Sequence, residues 1–310
     1  MRALTKVILA VFIATLVLAG VAGGQAGRRP GQSGGGASTA SERGTTLNVF
    51  AARADGADDE IAAHDLALYD GGMEQKIQSF APDPDPARIV LLVDNSLGLR
   101  ADVEKLAQAT REFAYEIYEG DQVMIVGYDE APEIVVEWTD NAEEIEKNLQ
   151  LFRKRGEPRL FDALATVLTE ALRPLSASYN KRVVVLVADG LDRGSKTRFD
   201  DILAELQKQD VTVYALQIPD RTGGALRRDR PKPNQVVKQL VEGTGGRILT
   251  VEEPREAAKS ICDELRKNRY VLAYTPMGAS PYDDRRLLVI ADDGINVRVK
   301  AQQPARIKVR

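Results

Sequence analysis

The sequence predicts an α/β protein: a doubly wound, mostly parallel sheet, with a smaller discontinuous β domain from its N- and C-terminal flanks. Three observations predict it. Continuously apolar runs such as Ile89-Val90-Leu91-Leu92-Val93 and Val183 to Val187 read as strands covered on both faces. From Arg88 to Lys267 such runs alternate with amphipathic helical stretches, the β-α rhythm of a parallel sheet flanked by helices. Outside that block the pattern is strand-like only.

In chain order, Thr46 to Phe50 and Leu66 to Tyr69 are strand-like, and Asp70-Gly71-Gly72 is a hairpin signal. Three alternate prolines in Ala81 to Pro86 make an extended boundary. Arg100 to Tyr118 is helical, Val123 to Val126 a strand, and Ile134 to Val136 an edge strand. Glu143 to Phe152, Leu160 to Leu172, Phe199 to Leu206, Val236 to Val241 and Arg255 to Arg266 carry helical spacing, with Cys262 a small core residue. Val211 to Ile218 and Ile248 to Val251 are strands. Gly243-Thr244-Gly245-Gly246 ends a helix and leads into a strand, so it reads as a helix cap and not a phosphate loop. Tyr270 to Tyr274, Arg286 to Ile290 and Val297 to Lys300 return to strands. Neither flank has enough strands for a stable sheet, so the two are expected to pair across space. The expected divisions are 1–26, 27–44, 45–84, 85–267 and 268–310.

Met1 to Ala26 reads as a cleaved secretory signal: Arg2 and Lys6, an apolar run from Val7 to Val21, then small residues at Gly24-Gln25-Ala26. About 15 apolar residues at ~1.5 Å each reach only ~22 Å, short of the ~30 Å hydrocarbon core. The mature chain is therefore expected to be exported (periplasmic, envelope-associated or secreted) with no membrane span. Gly27 to Gly44 is Gly/Ser-rich and reads as a tether. With 42 Lys+Arg against 46 Asp+Glu, the formal net charge is −4, which argues against a nucleic-acid partner. One cysteine excludes a disulfide framework and a Cys-based zinc cluster. The single histidine, His64, lies in a flank, which leaves no Ser-His-Asp arrangement within the α/β block.

Ligands of such sheets gather beyond the carboxyl ends of the strands, where strand order reverses. Three segments are expected there: Asp94-Asn95-Ser96-Leu97-Gly98, Gly156 to Asp162, and Asp189-Gly190-Leu191-Asp192. Converging carboxylates and hydroxyls suit Mg²⁺ and other hard divalent cations. Asp220 to Pro233 adds a polar insertion on the same face, with Arg221, Arg227, Arg228, Arg230 and Lys232.

Asp94-x-Ser96 after an apolar strand, the Leu160-Phe161-Asp162-Ala163-Leu164 helix start, and Val184 to Asp189 followed by Gly190 resemble a von Willebrand factor type A domain, a Rossmann-like fold. His64 to Gly72, Gln75 to Phe80 and Tyr270 to Pro276 resemble the flanks of an exported bacterial subgroup of these proteins, best represented in acidobacteria. The resemblance implies a metal-ion-dependent adhesion site at Asp94, Ser96 and Asp189. Gly98 stands where the second Ser belongs and Pro158 where the Thr belongs, so the site is degenerate. Two readings stand. The remaining ligands hold Mg²⁺ (or Mn²⁺ or Ca²⁺) with water and help from Glu157 or Asp192, or Ser96 and Asp189 only satisfy local backbone donors.

The expected function is a non-enzymatic protein-interaction module that binds through this face. An acidic residue of the partner would complete any metal's coordination. Glu157, Asp192, Arg227, Arg228 and Arg230 are candidate partner-binding residues. The alternatives are a structural envelope protein assembling through its β flanks and a metal-assisted hydrolase.

Overall fold

The computed structural model describes residues 44–149, 153–175, 181–222, 231–278, 280 and 282–303. The expected signal segment and all of the tether but Gly44 lie outside them.

The N-terminal flank supplies β1 (Thr45–Arg53), β2 (Leu66–Asp70), β3 (Met73–Gln75) and β4 (Ile77–Pro82). The α/β block follows with β5 (Ala87–Asp94), α1 (Val103–Glu116), β6 (Gln122–Tyr128), β7 (Pro132–Thr139), α2 (Ala142–Asn148) and α3 (Leu160–Thr166). It continues with β8 (Lys181–Ala188), α4 (Phe199–Lys208), β9 (Thr212–Gln217), α5 (Pro233–Thr244), β10 (Ile248–Thr250) and α6 (Pro254–Lys267). The C-terminal flank adds β11 (Arg269–Tyr274), β12 (Arg285–Ala291), β13 (Ile295–Val299) and β14 (Gln302–Gln303).

The central sheet runs β10-β9-β8-β5-β6-β7, parallel except for the antiparallel edge strand β7. Successive side chains of a strand face opposite ways, so its continuous apolar runs feed two cores. Ile89, Leu91, Val93, Val183, Val185 and Val187 face α1, α2 and α6, packing with Leu106, Phe113, Ile145 and Ile261. Val90, Leu92, Val184 and Leu186 face α3, α4 and α5, packing with Leu164, Leu206 and Leu240. Cys262 is buried in the first core, and burial pushes its thiol well up from its ordinary range.

Helix ends follow local chemistry more closely than apolar spacing. Spacing starts the first helix at Arg100, but Asp102 caps it by accepting from the Lys105 amide at 2.7 Å, so α1 begins at Val103. Pro233, with its fixed φ, opens α5 three residues ahead of the apolar run. Gly245, at φ +83°, closes α5 in the left-handed conformation expected of a helix cap. The helix expected from Leu160 to Leu172 is one α-helical stretch followed by wider π turns over Val167–Leu172.

The flanks do pair across space. β1 lies between β13 and β11, and β4 pairs with the other edge of β11. A second sheet, β14-β12-β2-β3, joins β2 of one flank to β12 of the other. Leu47, Val49, Leu66, Leu68, Leu272, Tyr274, Leu287 and Val289 form their shared core. Asp70 is buried there, accepting from Arg285 Nε at 2.8 Å and from the Tyr274 hydroxyl at 2.8 Å. Several side chains tie these sheets to the α/β block. Arg269 reaches Thr212 at 3.0 Å, Lys300 reaches the Gln207 carbonyl at 2.9 Å, and Arg298 pairs with Glu264.

A buried ion pair that loses one partner leaves a charge without solvent or counterion. Asp70→Ala is expected to lower the unfolding free energy by about 3–5 kcal/mol in a urea titration. Leu288→Ala, on the exposed face of the same sheet, should stay within about 0.5 kcal/mol.

Candidate functional site

Chain order reverses at β5, which has β6 on one side and β8 on the other. This is the switch point at which α/β sheets open a cleft. Asp94 closes β5 and Asp189 follows β8, so the topology sets two carboxylates side by side. Both are fully buried. Asp94 Oδ1 accepts from the Ser96 amide at 2.9 Å and the Ser96 hydroxyl at 2.5 Å, a local turn that fixes the loop after β5. Asp189 Oδ1 accepts from the Leu191 amide at 3.0 Å. Between them, Gly190 sits at φ +86°, and a Cβ there would lie 2.4 Å from the Pro233 carbonyl. Only glycine lets the start of α5 approach this closely.

A third element completes the cluster. After β9 the Ile218 amide still donates to the Ala188 carbonyl at 3.0 Å, holding the chain beside β8. Asp220 Oδ1 then accepts from the Thr222 amide and hydroxyl, each at 2.7 Å, and this turn sends Arg221 inward. Arg221 Nε donates to Asp189 Oδ2 at 2.7 Å, and Nη2 donates to Asp189 Oδ1 at 3.1 Å and to Asp94 Oδ2. Its Nη1 donates to the Ser96 hydroxyl at 2.8 Å and the Leu97 carbonyl at 3.0 Å. A guanidinium has five N–H donors, and these five bonds use all of them. The side chain is only 8% exposed.

Burial raises the Asp94 carboxyl above its ordinary range, against the opposing pull of Arg221 and Ser96. Burial alone would weaken the Arg221 charge, but the bonds to Asp189 and the charges of Asp94 and Asp189 outweigh it and hold the guanidinium protonated. Tyr128 pairs in register with Asp94 across β5 and β6. Burial, then the charges of Asp94 and Asp189, push its phenol well up. The Tyr128 hydroxyl and Asn95 Oδ1 are buried with no hydrogen-bond partner among the described residues.

The von Willebrand factor type A domain profile matches residues 89–292. The chain belongs to that family. No curated protein matches it in sequence. Among solved structures, an aerotolerance-related membrane protein from Bacteroides fragilis NCTC 9343 is similar at 16% identity and a TM-score of 0.45, over 58% of this chain and 99% of that one. Proximal thread matrix protein 1 from the mussel byssus is similar at 16% identity and a TM-score of 0.47, over 61% of this chain and 49% of its own. The conserved hypothetical protein BatB from Bacteroides thetaiotaomicron is similar at 16% identity and a TM-score of 0.44, over 58% and 98% of the two chains.

Type A domains commonly hold a divalent metal where Asp94, Ser96 and Asp189 meet. The three side chains do meet, but around Arg221. The donor set does not fit a divalent ion while that guanidinium is in place. Both carboxylates and the Ser96 oxygen are directed at it, Gly98 has no side chain, and the Pro158 carbonyl accepts from the Arg193 amide at 2.6 Å. Nor do the candidate helpers point inward. Glu157 pairs with Arg193 at 3.1 Å on the surface. Asp192 accepts from the Ser195 hydroxyl at 2.5 Å and the Phe161 amide at 3.2 Å. Asp162 accepts from the Lys196 and Thr197 amides, and these bonds lower its carboxyl despite burial, which alone would raise it. Arg227, Arg228 and Arg230 lie outside the described residues.

Arg221 is the residue the sequence reading did not single out. It was one of five basic residues in a polar insertion, and its spacing does not tie it to Asp94. The one available signal was its place just past the end of β9, facing two acidic strand ends. Around it the rim is charged: Arg155 bridges Asp129 at 2.8 Å and Glu133 at 2.6 Å. Leu97 is 60% exposed, and its amide donates to the Gly156 carbonyl at 3.0 Å, one residue past Arg155.

Arg221→Ala would leave two buried carboxylates without their counterion. In metal-free buffer it is expected to lower the unfolding free energy by about 3–5 kcal/mol, read by urea titration. Arg221→Lys keeps the charge without the planar fork and should lose less.

Proposed function

We propose that the protein is an exported, non-enzymatic interaction module that binds a protein partner through the face at the carboxyl ends of its central strands. The observation that carries this reading is the exposed Leu97 on a loop whose base is locked by Arg221. The lock presents an apolar anchor on a loop fixed by Arg221 and by the Leu97 amide bond to the Gly156 carbonyl, which puts it next to the charged segment Arg155 to Glu157. Binding interfaces concentrate their energy in such central anchors with polar rims. Arg227, Arg228 and Arg230 follow Arg221 in the same segment and supply positive charge for an acidic region of the partner. All five Arg221 donors are used internally, so a partner carboxylate gains nothing from the cluster itself. Recognition on this face belongs to the rim and needs no ion.

Several features support the remaining parts of the proposal. The Met1 to Ala26 leader supports export to the periplasm, the envelope or the medium, as in the acidobacterial subgroup whose flanks this chain resembles. Among the described residues no helix is long and apolar enough to cross a membrane. A hydrolase is disfavoured because both carboxylates and the Ser96 hydroxyl are committed to Arg221, so neither Asp94 nor Asp189 stands free as a base beside Ser96. Assembly through the β flanks is the second reading. It is favoured by the exposed Met73, Tyr282, Leu288 and Ile290 and by a groove of about 900 Å³ lined in part by Tyr69, Met73 and Leu288.

Two measurements test the proposal. The chain immobilised by its C-terminus and exposed to an envelope extract in EDTA should retain a specific partner. Leu97→Asp should abolish retention and Leu288→Asp should not; the reverse pattern would establish the flank reading. Expression with the native leader in a Gram-negative host, followed by N-terminal sequencing, should find mature protein starting at Gly27. An intact Met1 on the cytoplasmic side would refute export.

A further inference from the structure

We propose that Arg221 is a built-in cation: its guanidinium takes the place of the divalent ion in the Asp94–Ser96–Asp189 cluster and excludes it, so the ion can bind only when this side chain is removed.

The geometry supports this in three ways. First, the guanidinium contacts every side chain of the cluster that could ligate an ion: Asp94 Oδ2, both Asp189 oxygens and Ser96 Oγ. An ion among these oxygens would have to share their space with the guanidinium and would meet its positive charge at close range. Second, Arg221 does not arrive by chance. The Asp220–Thr222 turn aims it, and its own amide donates to Asp189 Oδ2 at 3.2 Å. A tethered group acts at an effective concentration of millimolar order, whereas Mg²⁺ must give up tightly held water to enter. Third, the replacement is incomplete in a telling way. The Tyr128 hydroxyl is buried in register with Asp94 and has no hydrogen-bond partner among the described residues. A hydrated ion brings water that can bond such groups, whereas a planar guanidinium with all five donors used brings none. The cluster thus retains a polar group, the Tyr128 hydroxyl, that the present cation does not serve.

The position of Gly98 agrees with this. It sits at φ +79°, a conformation that a side-chain-bearing residue adopts only under strain. The loop after β5 is shaped around Arg221 Nη1, which holds the Leu97 carbonyl, and not around another hydroxyl ligand. The assignment rests on the cluster alone, so it is tested on the isolated protein, and a failed partner-binding experiment would leave it standing.

The test is thermal unfolding and isothermal titration with Mn²⁺, on the full mature chain and its variants, each first stripped with EDTA. The wild type should show no binding and no shift in Tm. Arg221→Ala should have a lower Tm in EDTA and regain about 5–10 °C once Mn²⁺ exceeds its dissociation constant a hundredfold. Adding Asp94→Asn to Arg221→Ala should abolish that gain. Wild-type Mn²⁺ binding that Asp94→Asn removes would overturn the proposal, because ion and guanidinium would then coexist or exchange. A folded Arg221→Ala protein indifferent to Mn²⁺ would also overturn it. If Arg221→Ala does not fold in EDTA, folding that Mn²⁺ restores and chelation reverses supports the proposal, and failure to fold under both conditions counts against it.

Discussion

Two negative charges at the centre of the sheet must be neutralised, and the upper half of the α/β block is arranged to do so. The strand order that reverses at β5 brings Asp94 and Asp189 together in a place water does not reach. Isolated carboxylates there would cost many kcal/mol or take up protons. Arg221 supplies the counter-charge from the turn after a third strand, β9, and its bonds to Asp94, Asp189 and the Leu97 carbonyl tie together the chain segments after β5, β8 and β9. The turn at Asp220, the glycine at 190 and the close approach of α5 are conditions for this arrangement. The cluster holds two carboxylates and one guanidinium, and that residual negative charge fits with burial holding the Asp94 carboxyl above its usual range.

How much of this was legible in the sequence depends on how local each signal is. Strands β5 and β8 were plain because burial on both faces demands unbroken apolar runs, and theirs fall in step with the amphipathic helices around them. The α5 cap was plain because Gly245 meets a conformational need that only its neighbours create. Asp94, Ser96 and Asp189 could be brought to one face because parallel topology places every strand's carboxyl end together. Arg221 was not legible as their partner. It lies 127 residues from Asp94, and no periodicity links positions that meet only through tertiary structure. The helix boundaries were missed by a few residues where a cap, such as Asp102, or a proline, such as Pro233, decided the start instead of the apolar spacing. The pairing of the flanks could be anticipated from the cost of unpaired edges, but not the register, which depends on which side chains face the shared core.

The β sandwich and the α/β block solve the problem of buried charge in different styles. In the sandwich, Asp70 is met by Arg285 and Tyr274 from strands of the other flank, so one polar contact staples two distant parts of the chain. At the joint, Glu264 of α6 accepts from Tyr214 at 2.6 Å within the block and pairs with Arg298 of β13 outside it. Each of these contacts crosses between segments that apolar packing alone would leave free to slide. Polar contacts of this kind add little net stability, but they penalise wrong pairings heavily.

The pairing of β4 with β11 has a mechanical consequence. The chain runs into the α/β block from β4 and comes back out through β11, and these strands lie side by side, with Pro82 opposite Tyr270. A pull on the block along the strands therefore reaches the sandwich as tension on two neighbouring strands. β1 has no direct chain link to the block, only contacts such as Asn48 Nδ2 to the Asp210 carbonyl at 3.4 Å, so that tension loads its pairing with β11 from Thr45–Tyr274 to Phe50–Arg269. Hydrogen bonds loaded in this sliding mode share the force, whereas bonds loaded in peeling fail one after another. Pulling the block along the strands therefore loads the β1–β11 ladder in the sliding mode, over six residue pairs at once.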